Sequence, residues 1–489
     1  MTKKVLLLFP RTGFDPIKPR MPSPLIYIGT FLKEKGYEPI IVDTRVDKDY
    51  KRKIISHIND SIAVGITTMT GMQILFALNL ARFVRKAAPK IPIIWGGVHP
   101  SLLPEQTIQN KYVDVIVRGE GEETFYHLIK AIDDKTALEK VKGITFKDKE
   151  GNVINTPNRE FIDLNKLPFP NWELIDYKKY RIFDILSARG CPHRCGFCYN
   201  IQFNCQNWRP KSAKRVLKEI EYVVRKYNVK QLNFIDDNFF TDKKRVEEIC
   251  RGIIKKGFKI KWRASCRVDY INRYGSKFLN LLNKAGLVEL FIGAESGSQR
   301  MLNLIKKDIT IKQTINTVKK CKDNNIQAQY SYMIGFPGET EKDLMKTFKQ
   351  IDLIKRIDPH AMINMIAIYT PYPGTEMYEQ CKNLGFKPPR TLEEWGEYTY
   401  TFANLPYLGS KRIVYESISY ISRFIFYKKE LKEKFITPLT RIPFEILSVM
   451  AKLRWEFKFF SFPIEWAVLK CYLVYRRKRQ LKEIYKKLK

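Results

Sequence analysis

The sequence predicts an α/β fold: a doubly wound parallel sheet, then a partial (β/α)6 TIM-like barrel, then a helical carboxyl-terminal region. Three observations carry that expectation. Short apolar runs of strand length alternate with amphipathic helical stretches from residue 4 to 135, the alternation fades between 143 and 180, and it resumes from 182 to 369 before the strands stop near 405. At 489 residues the chain is long enough for about three folding units of roughly 150 residues each.

The first series opens with a strand at Val5 to Phe9 and a helix at Pro24 to Lys35, in which Leu25, Ile28 and Leu32 share a face. Further strands are expected at Ile40 to Val42, Ala63 to Thr67, Ile91 to Trp95 and Val113 to Val117, with a long helix from Met72 to Ala87 and an amphipathic one through Phe125 and Leu128. Such alternation gives a parallel, doubly wound sheet. Lys149-Glu150-Gly151-Asn152 reads as a hairpin turn and Pro168-Phe169-Pro170 as an extended linker. The second series has strands at Ile182 to Leu186, Gln231 to Ile235, Ile260 to Ala264, Leu287 to Ile292, Gln327 to Met333 and Asn364 to Tyr369. The expected division is 1–140 for the first sheet, 141–180 for a linker with a hairpin, 181–405 for the barrel and 406–489 for a basic, aromatic-rich helical region.

A hydrophobic fraction of 44% is ordinary for a globular protein, and no apolar run approaches the roughly 18 residues of a membrane span. The Val-Leu-Leu-Leu run after Lys3 and Lys4 is cut by Pro10 and Arg11, so it reads as a buried first strand rather than a signal peptide. Lys and Arg number 87 against 51 Asp and Glu, a net charge of +36 that favours anionic partners: nucleic acid, anionic lipid or phosphorylated substrates. A Lys, Ile and Glu bias of this kind also occurs in proteins from hot environments. Nine cysteines without an export signal argue against a disulfide framework and for a reducing, cytoplasmic compartment.

Most of the functional information lies in Ser187-Ala188-Arg189-Gly190-Cys191-Pro192-His193-Arg194-Cys195-Gly196-Phe197-Cys198-Tyr199-Asn200. Three thiolates spaced by three and two residues, in a loop just after a strand, can converge on one iron-sulfur cubane and leave its fourth iron open. An open iron can chelate the amino and carboxylate groups of S-adenosylmethionine. Zinc is the competing reading, because His193 lies within the loop, although zinc normally takes four ligands. The other six cysteines, Cys205, Cys250, Cys266, Cys321, Cys381 and Cys471, have no paired spacing and read as small core residues, with Cys266 alone on an expected active-site strand.

With these residues the chain resembles the radical S-adenosylmethionine superfamily, in the branch that carries an amino-terminal Rossmann-like cobalamin-binding domain; the resemblance covers residues 1 to about 400. It implies a [4Fe-4S] cluster on Cys191, Cys195 and Cys198, and one-electron cleavage of S-adenosylmethionine to a 5'-deoxyadenosyl radical. Phe197 then packs near the adenine. Phe234-Ile235-Asp236-Asp237-Asn238 matches the segment that contacts the methionine amino group, so Asp236 and Asp237 are candidates. Arg267 is a candidate for the methionine carboxylate, and Glu295 and Ser296, in Gly293-Ala294-Glu295-Ser296-Gly297-Ser298, for the ribose and methionine end. Two more segments follow later strands, Gly335-Phe336-Pro337-Gly338-Glu339-Thr340 and Pro371-Tyr372-Pro373-Gly374-Thr375. Singly, each is as consistent with a helix cap or tight turn; what counts is their order at successive strand ends, where barrel enzymes gather active-site residues.

The same resemblance implies that Thr67, Thr68, Met69 and Thr70, together with Gly96, Gly97, Val98 and His99 and with Gly119 and Glu120, line a cobalamin site. The Asp-x-His-x-x-Gly cobalamin motif is absent, so no histidine lower ligand is expected, and His99 before Pro100 has a structural reading beside the functional one. Loss of the cofactor with retention of the fold is the alternative for this whole domain. Transfer RNA methylthiotransferases combine a similar front domain with cluster cysteines of its own; no cysteine precedes Cys191 here.

Residues 411–489 hold 20 Lys and Arg against 7 Glu, interleaved with Trp455, Phe457, Phe459, Phe460, Phe462 and Trp466. Three readings stand: a helical cap on the barrel, peripheral contact with the inner face of a membrane in which Trp455 and Trp466 insert, or contact with nucleic acid, the least favoured. The expected function is cobalamin-dependent radical chemistry on an unactivated carbon of a small-molecule or lipid substrate, with an external electron donor such as flavodoxin or ferredoxin. Methyl transfer by methylcobalamin is the leading form; a cyclase, oxidase or coupling enzyme of the same architecture and a non-enzymatic, membrane-associated binding protein are the alternatives.

Overall fold

The computed structural model describes residues 3–13, 15–16, 18–399, 403–426 and 441–488. Residues 427–440 of the expected tail lie outside them. The amino-terminal sheet contains β1 (Lys4–Phe9), β2 (Glu38–Asp43), β3 (Ser61–Thr67), β4 (Ile93–Gly96), β5 (Val115–Val117), β6 (Ile144–Lys147) and β7 (Val153–Asn155), in the order β2-β1-β3-β4-β5-β6-β7. The first five are parallel. The hairpin β6–β7 continues the sheet antiparallel from β5, so the segment expected to link the domains is in part a sheet edge. Val5 to Leu8 are buried on both faces of β1, as a central parallel strand must be when helices cover both sides of the sheet. Helix Ser23–Glu34 packs beside Gly121–Asp133, and Tyr50–Ile58 beside Gln73–Ala87.

The second sheet is a curled, all-parallel half-barrel. After β8 (Phe183–Ile185) the chain makes a small antiparallel pair, β9 (Ala188–Arg189) with β10 (Arg209–Pro210). It then lays down β11 (Gln231–Phe234), β12 (Lys261–Arg267), β13 (Leu287–Glu295), β14 (Gln327–Ile334), β15 (Met362–Ile363) and β16 (Ala367–Ile368). The order is β15-β14-β13-β12-β11-β8, with β16 also on β14. The sixth strand expected at Asn364 to Tyr369 is thus shorter, β16 alone, with the separate β15 just ahead of it. Ile366 separates the two: its N–H donates 3.0 Å to the Ser422 hydroxyl of a later helix instead of to β14.

Beyond the barrel the chain folds back on the first sheet. Trp395 is buried and donates 2.6 Å to Gln106, and Asn110 donates 2.7 Å to Glu393. Helices Arg412–Phe426, Arg441–Phe457 and Ile464–Leu488 follow, the last packing along Gln73–Ala87. The expectation that Trp455 and Trp466 insert into a membrane is corrected by this packing. Both are buried: Trp455 donates 3.0 Å to Asp352 and sits edge-on to Phe348, and Trp466 donates 3.3 Å to Glu416 and lies against Tyr420. Their indole N–H groups have protein partners, which is what makes burial of so large a side chain favourable. Among the described residues no helix is long and apolar enough to cross a membrane.

Candidate active site

The strand β9 delivers the chain into the cysteine loop through Gly190. Its φ is +81°, and a Cβ there would stand 2.0 Å from the Asn207 carbonyl, so only glycine fits. The loop is held from two sides: Gly196 N–H donates 3.0 Å to Ile305, and Met377 N–H donates 3.0 Å to the Gly196 carbonyl. Cys198 N–H closes a turn on the Cys195 carbonyl at 2.9 Å. Cys195 is buried, Cys191 and Cys198 half-buried. Burial, joined by the neighbouring thiols, pushes the Cys198 thiol up to about 12 and raises that of Cys191. Thiols so placed ionise readily only beside positive charge, which a metal centre supplies.

Two buried cations adjoin Cys195. Arg267 donates 3.5 Å to its sulfur while its other nitrogens hold Asp269 at 2.9 Å and the Lys307 carbonyl at 2.6 Å. The Lys307 ammonium lies 2.7 Å from Glu295 and 5.9 Å from the centre of the Phe197 ring. Burial works against the charge on Lys307, but Glu295 outweighs it and keeps the ammonium protonated. His193, which a zinc site would need, is instead engaged 3.0 Å from the Tyr270 hydroxyl. Among the described residues no three His, Cys, Asp or Glu side chains gather closely enough for a single metal ion. Three thiols with two cations beside one of them suit a cluster of net negative charge, and His193 is engaged elsewhere.

The strand ends of the half-barrel sort the remaining candidates. Asp236 is buried and already occupied, accepting from Ser187 N–H at 2.6 Å and from the Ser187 hydroxyl, with Arg245 nearby. It ties β8 to β11. Its neighbour Asp237 points the other way and accepts 3.1 Å from Gly190 N–H, at the root of the cysteine loop. Glu295 ends β13 in a left-handed conformation, φ +62°, after a register shift, and is buried with Lys307. Gly293 makes this possible, since a Cβ there would lie 2.2 Å from the Glu295 carboxylate and 2.7 Å from the Lys307 ammonium. Ser296 turns toward helix Glu341–Ile357, 3.3 Å from the Thr347 hydroxyl, and accepts from Ser298 N–H at 3.1 Å. Phe197 packs on Phe336, their ring centres 6.0 Å apart.

A cavity of about 330 Å³ lies between the carboxyl ends of the first sheet and the barrel. Thr67, Thr68, Met69, Gly96, Gly97, Val98, Gly119 and Glu120 line it from one side, and Leu186, Arg189, Tyr199, Phe203 and Asp237 from the other. Of the residues expected here, Thr70 and His99 stay outside it. His99 is fully buried, with Nδ1 3.0 Å from the Thr70 hydroxyl and its ring edge-on to Trp395. Burial lowers its pKa to about 3, so the ring is neutral. No histidine lines the cavity among the described residues. Met69 stands exposed over it, and glycines 96, 97 and 119 leave it open to a flat, bulky group.

Three residues that sequence reasoning missed join the two halves of the site. Arg189, immediately before Gly190, pairs with Glu120 at 2.8 Å and with Glu122, and Arg209 pairs with the same Glu120 at 2.8 Å. Burial opposes ionisation of Glu120, but the two guanidiniums outweigh it and hold its carboxyl below the usual range. A cluster loop and a cavity floor, far apart in sequence, are thereby registered to each other.

Comparison with known proteins agrees with this geometry. Residues 185–351 match the family model of the radical SAM superfamily, and residues 21–129 match that of the B12 binding domain. An uncharacterized methyltransferase of Pyrococcus horikoshii is 33% identical over 368 residues, covering 73% of this chain and 78% of that protein. The anaerobic magnesium-protoporphyrin IX monomethyl ester cyclase of Rubrivivax gelatinosus is 30% identical over 375 residues, covering 73% of this chain and 66% of that one. The solved structure of OxsB, a cobalamin-dependent S-adenosylmethionine radical enzyme with aqua-cobalamin and S-adenosylmethionine bound, superposes over 100% of this chain and 83% of that one, with a TM-score of 0.71 at 17% identity.

Two outcomes are expected at this site. Replacing Cys191, Cys195 or Cys198 with alanine is expected to abolish the cluster absorbance of anaerobically prepared protein, whereas Cys471→Ala retains it; full absorbance in all four contradicts these cysteines as the iron ligands. Glu120→Gln leaves Arg209 and part of Arg189 unpaired, costs about 3 kcal/mol and lowers the thermal midpoint. Because the folded pKa of Glu120 is depressed, this difference between parent and variant is complete above the unfolded carboxylate value of about 4.3 and shrinks as pH falls through the folded value. A variant that melts with its parent at neutral pH would show that the clamp carries no load.

Proposed function

The chain belongs to the radical S-adenosylmethionine enzymes with a B12-binding domain, and from that premise we propose that it is a methyltransferase acting on an unactivated carbon of a hydrophobic, lipid-like substrate. Its cofactors are a [4Fe-4S] cluster, S-adenosylmethionine and cobalamin. Bound together, these groups supply one-electron cleavage of S-adenosylmethionine to a 5'-deoxyadenosyl radical and a transferable methyl group.

The protein's part is to hold, orient and shield. Cys191, Cys195 and Cys198 hold the cluster, and Arg267 and Lys307 offset its charge beside Cys195. Glu295, fixed by Lys307, and Asp237, fixed by Gly190, present carboxylates toward the mouth of the half-barrel for the polar end of S-adenosylmethionine. Phe197, backed by Phe336, offers a face for the adenine. Asp236 and Ser296 act indirectly, by fixing the strand ends. Thr67 to Met69 and the glycine turns at 96–97 and 119 cradle the corrin. The observation that carries the reading is the sharing of Asp237, Tyr199 and Arg189 between the cavity wall and the root of the cysteine loop, so that a group seated on the first sheet meets the barrel mouth directly.

The electron donor is an external flavodoxin or ferredoxin, and the enzyme works in the cytoplasm, peripherally at the inner face of the membrane; the basic tail and its exposed apolar side chains support this. Cyclisation without methyl transfer is the second reading, favoured by the 30% identity to the protoporphyrin ester cyclase.

Product mass separates the two readings. Methyl transfer adds one methyl group and consumes a second S-adenosylmethionine, which appears as S-adenosylhomocysteine beside 5'-deoxyadenosine; a product lighter by hydrogen, with no S-adenosylhomocysteine, selects cyclisation. The reduced cob(II)alamin form is expected to be base-off with no histidine on its lower face, His99 lying outside the cavity, and so to give an electron paramagnetic resonance spectrum without nitrogen superhyperfine splitting. Splitting from a ring nitrogen would contradict this base-off, histidine-free state.

A further inference from the structure

Large apolar side chains that stand exposed on this protein concentrate on the helices Arg441–Phe457 and Ile464–Leu488 and on the turn between them. At the turn, Phe457 is 75% exposed, Phe459 52%, Phe462 80% and Ile464 71%. The segment is built to hold them out. Arg454 donates to the carbonyls of Phe459 and Ser461 at 3.1 Å each and of Phe462 at 3.0 Å, and its guanidinium pairs with Glu465 at 2.9 Å. Of the turn's phenylalanines Phe460 alone turns inward, its ring 5.0 Å from that of Phe348, and the Lys458 ammonium lies 2.7 Å from Asp352 on the barrel helix Glu341–Ile357. Lys458 and Phe462 both take left-handed backbone, φ +52° and +53°, a conformation that a bulky residue adopts only where surrounding contacts impose it.

The consequence is a turn in which the carbonyls of Phe459, Ser461 and Phe462 are satisfied from within while four apolar tips face outward. In water this arrangement leaves hydrocarbon exposed for no gain. At a bilayer it removes the usual obstacle to entry, since the loop brings few unpaired carbonyls into a region where water is scarce. Charge decides which surface it meets: residues 411–489 hold 20 Lys and Arg against 7 Glu, and Lys452, Arg476 and Lys478 stand exposed on the two helices that the turn joins. A second copy of the chain would bring the same positive charge against itself.

We propose that the turn 457–464 is a membrane wedge, Phe457, Phe459, Phe462 and Ile464 entering the headgroup layer of an anionic bilayer while the basic side chains around them meet the headgroups. The inference deepens the lipid-like substrate reading and rests on it for its purpose, but the docking is measurable without turnover. Full-length protein with its cofactors is floated with vesicles of phosphatidylglycerol and phosphatidylcholine, and with vesicles of phosphatidylcholine alone. Binding is expected to the anionic vesicles, weakened but not abolished by salt, because the apolar part is not screened. Phe457→Ser/Phe462→Ser should reduce it about tenfold or more at unchanged iron content, cobalamin content and thermal midpoint. Failure of the parent to float, or equal flotation of the variant, overturns the wedge. So does light scattering that shows a dimeric parent and a monomeric variant, which would assign the face to a second copy. Parent protein that floats but holds no cobalamin counts against the methyltransferase reading and leaves the wedge standing.

Discussion

The pairing of Glu120 with Arg189 is the contact on which the rest of the site depends. It joins the start of the helix after β5 to the residue that leads into the cysteine loop, and Arg209 and Glu122 close it into a largely buried cluster of four charges, with Glu122 the deepest. Buried ion pairs are poor sources of net stability, because desolvation consumes most of the attraction. What they supply is direction: a charge left unpaired at this depth is so unfavourable that the two domains have one register in which all four are matched. The cavity and the cysteine loop inherit that register.

Sheet topology explains why the site lies where it does. In the half-barrel and in the first five strands of the amino-terminal sheet the strands run parallel, so helices cover the faces and the carboxyl ends are the place where loops can gather functional side chains. The clamp turns these two sets of ends toward one cavity. Thr67 to Met69 and the glycine turns arrive from one side, and Arg189, Tyr199 and Asp237 from the other. Arg267 and Lys307 then fill the space beside Cys195, where their charge acts in a poorly hydrated environment and so acts strongly.

Local motifs were legible in the sequence, and long-range geometry was not. The cysteine spacing, the glycine turns at 96–97 and 119 and the alternation of strands and helices depend on neighbours along the chain, and the structure gathers those turns around one cavity. Asp236 and Asp237 were indistinguishable in sequence; past the end of β11 the chain bends, and one is buried to hold Ser187 while the other accepts from Gly190. Arg189 and Glu122 are separated by 67 residues, and no spacing rule links them. Lys307 carried no motif, although Gly293 hinted that something bulky approaches β13. In the tail, aromatic residues among lysines read alike whether they are core or interface. Trp455 and Trp466 proved to be core, where Asp352 and Glu416 accept from their N–H groups, while Phe457 and Phe462 stay outside.

Two cofactor sites facing each other in one chain are the centre of this enzyme, and the composition of the protein tests for them most directly. Anaerobically purified and reconstituted protein should contain about four irons with matching sulfide and about one cobalamin per chain, and Glu120→Gln should weaken retention of cobalamin without removing iron. Iron without any bound cobalamin, or zinc in place of iron, would contradict that arrangement.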